Sequence, residues 1–234
     1  MRRPYWIQDN ANPYDFPPVE TALSYPDGLL AVGGDLSLER LIVAYHLGIF
    51  PWYNEDEPIL WWAPSQRMVL FPEHLKISRS LRQTIKKQPF TLTLDHCFRE
   101  VMIECAGPRA MQQGTWISQE IIDAYEQLHQ RGFAHSVEAW YQGRLVGGLY
   151  GVALGNVFCG ESMFAHVSDA SKVAFVQFVK QLHHWGYELI DCQVYTDHLA
   201  RFGAIEIPRE QFKQLLTHLR QMPGHQGVWQ FDEQ

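Results

Sequence analysis

The pattern of hydrophobic and polar positions is clearest in the second half of the chain. Apolar stretches separated by hairpin turn residues predict strands over residues 135–141, 144–153 and 157–164. Residues 169–185 then place apolar side chains at the i, i+3, i+4 and i+7 spacing of an amphipathic helix, and a strand over 187–194 follows. The pattern therefore predicts an antiparallel meander and then a strand-helix-strand unit, whose two strands lie parallel and side by side.

The first half of the chain has a weaker pattern. Prolines among polar groups indicate an extended segment with little regular structure over residues 1–20, and aromatic runs interrupted by proline indicate packed loops between residues 49 and 64. Helices are predicted after the capping residues Ser37, Ser78, Asp95, Ser118 and Ser168. The other predicted elements are strands over 68–71, 90–94 and 204–207, a loop over 108–114, and helices over 197–202 and 209–221.

Two of the apolar strands carry a carboxylate where a core strand ordinarily carries a hydrophobe. Glu161 lies in the strand 157–164 and Asp191 in the strand 187–194, with Gln193 two positions further on. Strand side chains alternate, so we expect Asp191 and Gln193 on one face, and the parallel pairing brings Glu161 near them. Burying a charged side chain costs free energy, so such a residue usually has a partner or a functional task. Such a cluster favours either proton transfer with a tuned pKa or a structural hydrogen-bond network.

One predicted helix has a basic face. Arg79, Arg82 and Lys86 share this face by helical spacing, and Lys87 follows them. In a chain with a formal net charge of -7, a one-sided basic helix indicates either phosphate contacts or an ordinary solvated surface. The aromatic loops allow two interpretations as well, since aromatic rings either stack on nucleobases or form a small hydrophobic core.

Composition narrows the class of protein. A length of 234 residues with 46% hydrophobic and 19% charged residues indicates a globular protein with a sizeable core. The four cysteines have neither CxxC nor metal-ligand spacing, the N-terminal residues lack the apolar region of a signal peptide, and no apolar run reaches about 20 residues. We therefore expect a cytoplasmic protein with reduced thiols, and we find no Walker, HExxH or GxSxG motif.

Several short motifs together resemble the bacterial leucyl/phenylalanyl-tRNA–protein transferases. They occur in order between about Phe16 and Pro208: GGDL at 33–36, GIFPW at 48–52, LWW at 60–62, GTWI at 114–117, GGLYG at 147–151, FCGESMF at 158–164 and LIDCQV at 189–194. The resemblance implies an α+β fold. A small, aromatic-rich N-terminal α/β domain would cover residues 1–65. An N-acetyltransferase-like mixed sheet with flanking helices would form a catalytic domain over 66–234.

The resemblance also implies an activity. Leucine or phenylalanine, and methionine less well, would move from aminoacyl-tRNA to the N-terminal Arg or Lys of an acceptor protein. The new peptide bond would mark that protein for N-end-rule degradation. An aminoacyl ester is already activated, so no cofactor or metal is expected. Nothing in the pattern demands a dimer, so we expect a monomer.

The resemblance assigns roles to individual residues. Asp191, Gln193 and Glu161 would be catalytic: Asp191 polarises Gln193, Gln193 contacts the attacking amine, and Glu161 holds the cationic acceptor. The group that takes the proton from the amine is either Asp191, a water molecule or the substrate, and the resemblance does not decide among them. The remaining roles are stacking of the tRNA 3′-adenosine on Tyr45, Trp52 and Trp116, an aminoacyl side-chain pocket of Leu149, Phe158, Met163, Phe175 and Phe178, and contact of the tRNA backbone with Arg79, Arg82, Lys86 and Lys87.

Two other functions compete with this one. An acyl-CoA N-acetyltransferase would need a glycine-rich turn before the helix 169–185, and the segment 164–169 (FAHVSD) contains no glycine. A non-catalytic RNA-binding module would use the basic helix and the aromatic residues, but it has no need of buried carboxylates.

Overall fold

The computed structural model describes residues 3–8, 10–110 and 116–232, without the side chains of 108–110, and these residues form two sheets. The first sheet has four strands in the order β1-β2-β4-β3. Strand β1 pairs parallel with β2, and the other pairs are antiparallel. The elements of this part are β1 (Tyr5–Ile7), β2 (Leu29–Gly33), α1 (Leu38–His46), β3 (Phe50–Pro51) and β4 (Leu60–Trp62).

The second sheet has seven strands in the order β11-β5-β10-β9-β8-β7-β6. Its strands are β5 (Gln66–Leu70), β6 (Thr91–Leu94), β7 (Ala134–Tyr141), β8 (Arg144–Leu154), β9 (Val157–Ala165), β10 (Leu189–Gln193) and β11 (Ile205–Pro208). The helices that flank it are α2 (Arg79–Lys86), α3 (Phe98–Ala110), α4 (Gln119–Gln130), α5 (Ala170–His184), α6 (Asp197–Ala200) and α7 (Arg209–Leu219).

The predicted meander and strand-helix-strand unit are both confirmed. Strands β7, β8 and β9 pair antiparallel in succession, and β10 returns through α5 to pair parallel with β9. This topology confirms the predicted α+β class, with a mixed sheet, flanking helices and a smaller N-terminal α/β unit. One apolar cluster extends from the first sheet into the second, for example from Trp61 to Tyr150. The division into two domains at residue 65 therefore stays a prediction.

Two β-bulges lie where the predicted polar residues occur. In β9 the register with β8 shifts so that Glu161 is the extra residue, and in β10 the register with β5 shifts at Cys192. The pairing of β9 with β10 ends at Cys159 and Asp191. Bulges re-aim side chains, and here the backbone of Gln193 takes a left-handed φ of 60°. Simple alternation therefore does not describe Asp191 and Gln193, and the expectation that they share a face is corrected.

The first 64 residues contain more regular structure than predicted. Residues 1–20 include strand β1 and the start of the 3-10 helix Val19–Thr21. Within residues 49–64 the short strands β3 and β4 interrupt the predicted loops, which make up the rest of the segment. Pro51 is tolerated because β3 is at the edge of the first sheet, where a missing N–H leaves no ladder bond unmade. Trp61 is fully buried, and its indole N–H donates to the Gly33 carbonyl at 2.9 Å.

The predicted caps have mixed outcomes. The hydroxyls of Ser78 and Ser118 cap α2 and α4 by accepting backbone N–H groups, as predicted. Ser37 is at the N-cap of α1 without a side-chain bond, and α5 begins after Asp169 rather than Ser168. Asp95 is no cap: its carboxylate accepts from the Ser136 backbone and contacts His135. Residues 108–110 belong to α3, whereas 111–114 lie outside the described residues.

Candidate active site

A cavity of about 560 Å³ lies at the point where β9 and β10 separate. Its walls come from both strands, from α5 and α6, and from the segment after α1. All five residues that the sequence predicted for an aminoacyl side-chain pocket line it: Leu149, Phe158, Met163, Phe175 and Phe178. Because these side chains are apolar and mostly buried, the cavity fits a hydrophobic group of substrate size.

The cavity wall becomes polar at Glu161 and Gln193. The Gln193 carboxamide donates from Nε2 to Glu161 Oε1 at 2.7 Å, and the Gln193 backbone N–H donates to Asp191 Oδ1 at 2.9 Å. The two bulges make this contact possible, because they bring the side chains of both strands to the gap between them. The structure therefore brings the three predicted polar residues together, with Gln193 in the middle.

Asp191 is held by an arginine that the sequence reasoning missed. Arg67 donates from Nε to Asp191 Oδ1 at 2.8 Å and from an Nη to Oδ2 at 2.7 Å. Both side chains are almost completely buried, and Asp191 does not line the cavity. Burial alone would lower the pKa of Arg67, but the charge and hydrogen bonds of Asp191 outweigh it and raise that pKa. The pair is thus a charged, doubly hydrogen-bonded support beneath Gln193.

The Arg67 guanidinium is also enclosed by aromatic rings from distant parts of the chain. It lies 4.7 Å from the ring centroid of Phe50 and 4.6 Å from that of Phe212. Cation–π contacts of this kind stabilise a desolvated guanidinium. The only sequence signal for Arg67 was a lone charge at the start of an apolar strand, a signal too common to indicate its partner.

Glu161 contacts two buried tyrosines. The Tyr45 hydroxyl donates to Glu161 Oε1 at 2.7 Å, the Tyr125 hydroxyl lies 3.5 Å from Oε2, and the two hydroxyls share a short hydrogen bond. Burial raises the pKa of Glu161 to about 7; the hydrogen bond from Tyr45 opposes this rise and the charge of Asp191 adds to it. Glu161 can therefore gain or lose a proton near neutral pH.

The three aromatic residues predicted to stack on adenosine are in different surroundings. Trp52 is 46% exposed and lines the cavity, as does the partly buried Trp116. Tyr45 is only 2% exposed, does not line the cavity, and packs edge-on against Tyr125. Its ring has no free face for a nucleobase, so the stacking role of Tyr45 is corrected to a contact behind Glu161.

The four basic residues predicted to contact tRNA are all exposed on α2 or at its C terminus: Arg79, Arg82, Lys86 and Lys87. The helix packs on α5 through the buried Leu81, so its basic face is directed away from the core. The surface is therefore available for a polyanion, and its role stays a prediction.

Two cavity residues have buried polar atoms without a partner among the described residues. These atoms are Ser162 Oγ, next to Glu161, and His198 Nε2, on α6. Burial lowers the pKa of His198, and the nearby Lys172 and Arg201 lower it further. Ser162 lies within the FCGESMF motif, which assigned it no role, and His198 lies outside the quoted motifs.

A separate cluster of Asp95, His129 and His135 has the residue types of a metal site. Its atoms already have partners, however. His135 Nδ1 lies 2.7 Å from Asp95 Oδ2 and its Nε2 lies 3.2 Å from the Gly132 carbonyl, while His129 Nδ1 contacts the Ala134 carbonyl at 2.8 Å. Hydrogen bonding accounts for this cluster, and we assign it no ion.

Among residues 3–8, 10–110 and 116–232, no helix combines the length and the apolar character needed to cross a membrane.

Comparison with solved structures gives distant similarity. A structure of FemX is 10% identical in sequence, and the match covers 76% of this chain and 71% of the FemX chain, with a TM-score of 0.47.

Comparison with curated sequences gives much closer relatives, which carry the name leucyl/phenylalanyl-tRNA–protein transferase. The protein of Nitrosomonas europaea is 59% identical over 217 residues, which cover 93% of this chain and 92% of the relative. That of Cellvibrio japonicus is 53% identical over 91% of each chain, and that of Pseudomonas fluorescens is 52% identical over 96% and 98%. The family model of leucyl/phenylalanyl-tRNA protein transferase matches residues 69–217, and that of its N-terminal domain matches 34–65. The chain belongs to the leucyl/phenylalanyl-tRNA–protein transferase family.

Proposed function

We propose that the enzyme moves leucine or phenylalanine, and methionine less well, from aminoacyl-tRNA to the N-terminal Arg or Lys of acceptor proteins in the cytoplasm. The peptide bond formed marks the acceptor for N-end-rule degradation. Family membership supports the reaction class. The observation that carries the proposal is an apolar cavity of about 560 Å³ that ends at the hydrogen-bonded pair of Glu161 and Gln193.

The aminoacyl-tRNA occupies the apolar part of the site. The leucine or phenylalanine side chain is buried among Phe158, Phe175 and Phe178, which favours apolar groups over charged ones. The terminal adenosine stacks on Trp52 and Trp116 at the cavity wall. The phosphates of the acceptor stem contact the exposed basic residues of α2, which supply affinity without reading base sequence.

The acceptor amine binds at the polar end. Because the Gln193 carboxamide donates from Nε2 to Glu161, its Oε1 is left to accept an N–H of the incoming amine. Asp191 is a positioning residue and not the base, since both of its oxygens bind Arg67 and it is 1% exposed. It fixes the backbone of Gln193, and therefore the direction of the carboxamide.

Glu161 is the proton acceptor in this proposal. With a pKa raised to about 7, it accepts a proton from the acceptor ammonium, whose ordinary pKa is about 7.7–8.0. The amine nitrogen then bonds to the ester carbonyl carbon, and the bond from that carbon to the ribose oxygen breaks. The proton held by Glu161 passes to the departing ribose oxygen, which leaves as the hydroxyl of the tRNA. The attacking nitrogen releases its second proton to solvent as the neutral amide forms, so Glu161 returns to its starting form.

The direct test uses purified protein, radiolabelled leucyl-tRNA and two peptides that differ only in their first residue, arginine or alanine. We expect label in the arginine peptide and little in the alanine peptide. Absence of label from both peptides contradicts the proposal. The Gln193→Ala variant is expected to bind leucyl-tRNA, because its pocket and basic helix are intact. Its transfer is expected to be poor, because the carboxamide that contacts the acceptor amine is missing.

The structure disfavours an acyl-CoA N-acetyltransferase. At the start of α5, where a coenzyme A pyrophosphate would bind, Asp169 places a carboxylate that contacts Thr84 and Lys172. Measurable acetyl-CoA binding by calorimetry would revive that alternative. A non-catalytic RNA-binding module would retain its biological activity in an Asp191→Ala variant, whereas we expect that activity to be lost.

A further inference from the structure

A second, shallower groove of about 300 Å³ adjoins the cavity. Phe50, Trp52 and Val194 line both spaces, so the groove continues directly from the site of reaction. Trp62 and Tyr195 extend its aromatic walls, and Trp62 is fixed by an indole N–H that donates to the Trp52 carbonyl at 2.6 Å. A molecule bound at the polar end of the cavity could extend into this groove without a break.

The groove has a negative charge. Asp27 and Glu206 contribute exposed carboxylates from two different elements, and no lysine or arginine is found among the described residues that line it. Asp27 is fixed by the Ser65 backbone and hydroxyl, at 3.1 Å and 3.0 Å. Carboxylates beside exposed aromatic faces are suited to a guanidinium or ammonium group, which pairs with the former and lies over the latter.

The register of the sheet gives the distance between this charge and the reaction site. Met68 of β5 pairs with Gln193 of β10 on one side and with Glu206 of β11 on the other. Neighbouring strands lie about 4.8 Å apart, so the backbones of Gln193 and Glu206 are separated by about 10 Å. This distance is of the order of an extended arginine or lysine side chain together with the carboxylate that it meets.

We propose that this groove binds the positively charged side chain of the acceptor's N-terminal residue. The inference rests on the proposed transfer to N-terminal Arg or Lys and names the subsite for that selectivity. The α-amine contacts Gln193 and Glu161, while the side chain runs along Trp52 and Trp62 to Glu206 and Asp27. The occupant is thus a polypeptide that begins with a cationic residue, and the groove holds its first side chain.

The test measures transfer kinetics of Glu206→Gln, Asp27→Asn and the double variant at saturating leucyl-tRNA. The peptides begin with arginine or with citrulline, its uncharged isostere. We expect KM for the arginine peptide to rise about threefold in each single variant and about tenfold in the double variant, with kcat unchanged. KM for the citrulline peptide and KM for leucyl-tRNA are expected to stay constant. Glu73→Gln removes an exposed carboxylate outside the groove and is the matched control.

Each other outcome overturns the inference in a distinguishable way. If the wild type transfers to the arginine peptide and the variants keep its KM, the groove does not bind the side chain, although the proposed function stands. An equal rise for the citrulline peptide refutes charge recognition, and a rise in KM for leucyl-tRNA assigns the groove to tRNA. No transfer by the wild type to either peptide refutes the proposed function itself. Both substitutions retain a hydrogen-bond acceptor, so thermal unfolding of each variant is expected to match the wild type.

Discussion

The raised pKa of Glu161 predicts that one substitution changes stability and activity in opposite directions. Glu161→Gln keeps the size of the side chain and an oxygen that accepts from Tyr45, but it removes the titratable carboxyl. Burial raises the pKa of Glu161 from its ordinary value of 4.5 to about 7 in the folded protein. A shift of this size corresponds to about 3 kcal/mol of differential interaction between the charged and neutral forms.

The sign of the stability effect follows from proton linkage. Between pH 4.5 and 7 the folded protein retains a proton on Glu161 that the unfolded chain has released. The wild type therefore loses free energy of unfolding as the pH rises through this window, whereas the glutamine at this position does not titrate. Relative to the wild type, we expect Glu161→Gln to be nearly neutral at pH 4.5 and more stable by up to about 3 kcal/mol at pH 8.

Urea unfolding at pH 4.5 and pH 8 measures the effect on stability. Single-turnover transfer from leucyl-tRNA measures the effect on activity. In the wild type the transfer rate is expected to rise through pH 7 as Glu161 ionises. In Glu161→Gln the rate is expected to fall about 10²–10⁴-fold, and the inflection near pH 7 is expected to disappear. Retention of that inflection at an undiminished rate would refute the role of Glu161 as proton acceptor. An unchanged stability difference between the two pH values would refute the raised pKa.

Three further predictions concern the parts of the site around Glu161. Arg67→Met leaves Asp191 buried without its partner, so we expect a loss of about 3–5 kcal/mol in free energy of unfolding, measured with urea, and loss of transfer. Leu149→Met conserves volume in the pocket; unfolding should change by less than about 1.5 kcal/mol, and competition assays should show only a slight shift among leucine, phenylalanine and methionine. The double variant Arg82→Ala, Lys86→Ala should raise KM for leucyl-tRNA, while KM for the peptide stays constant. A plot of log KM for leucyl-tRNA against log salt concentration should become less steep, by up to about 2 in slope.

Local patterns predicted the parts of the fold that depend on neighbouring residues. The meander and α5 follow from alternation and helical spacing, and Ser78 and Ser118 are caps because their partners lie three residues away. The cavity walls were implied by the family resemblance, and its motif containing Phe158 and Met163 lies within one strand.

Contacts between distant residues were not predictable in this way. Arg67 and Asp191 are 124 residues apart, and nothing near either residue indicates the other. Tyr45 contacts Glu161 across 116 residues, so its burial could not be distinguished from exposure on a ligand surface. The bulge at Cys192 depends on pairing with β5, which alternation within β10 does not show.

The enclosure of Arg67 has a consequence for the order in which activity arises during synthesis. Phe50, Arg67, Asp191 and Phe212 all contribute to the support beneath Gln193, so the site needs residues from both sheets and from the last helix. A nascent chain on the ribosome that has not yet exposed Phe212 lacks one wall around the guanidinium. We therefore expect growing chains to remain inactive until α7 has docked, even though ribosomes are surrounded by aminoacyl-tRNA.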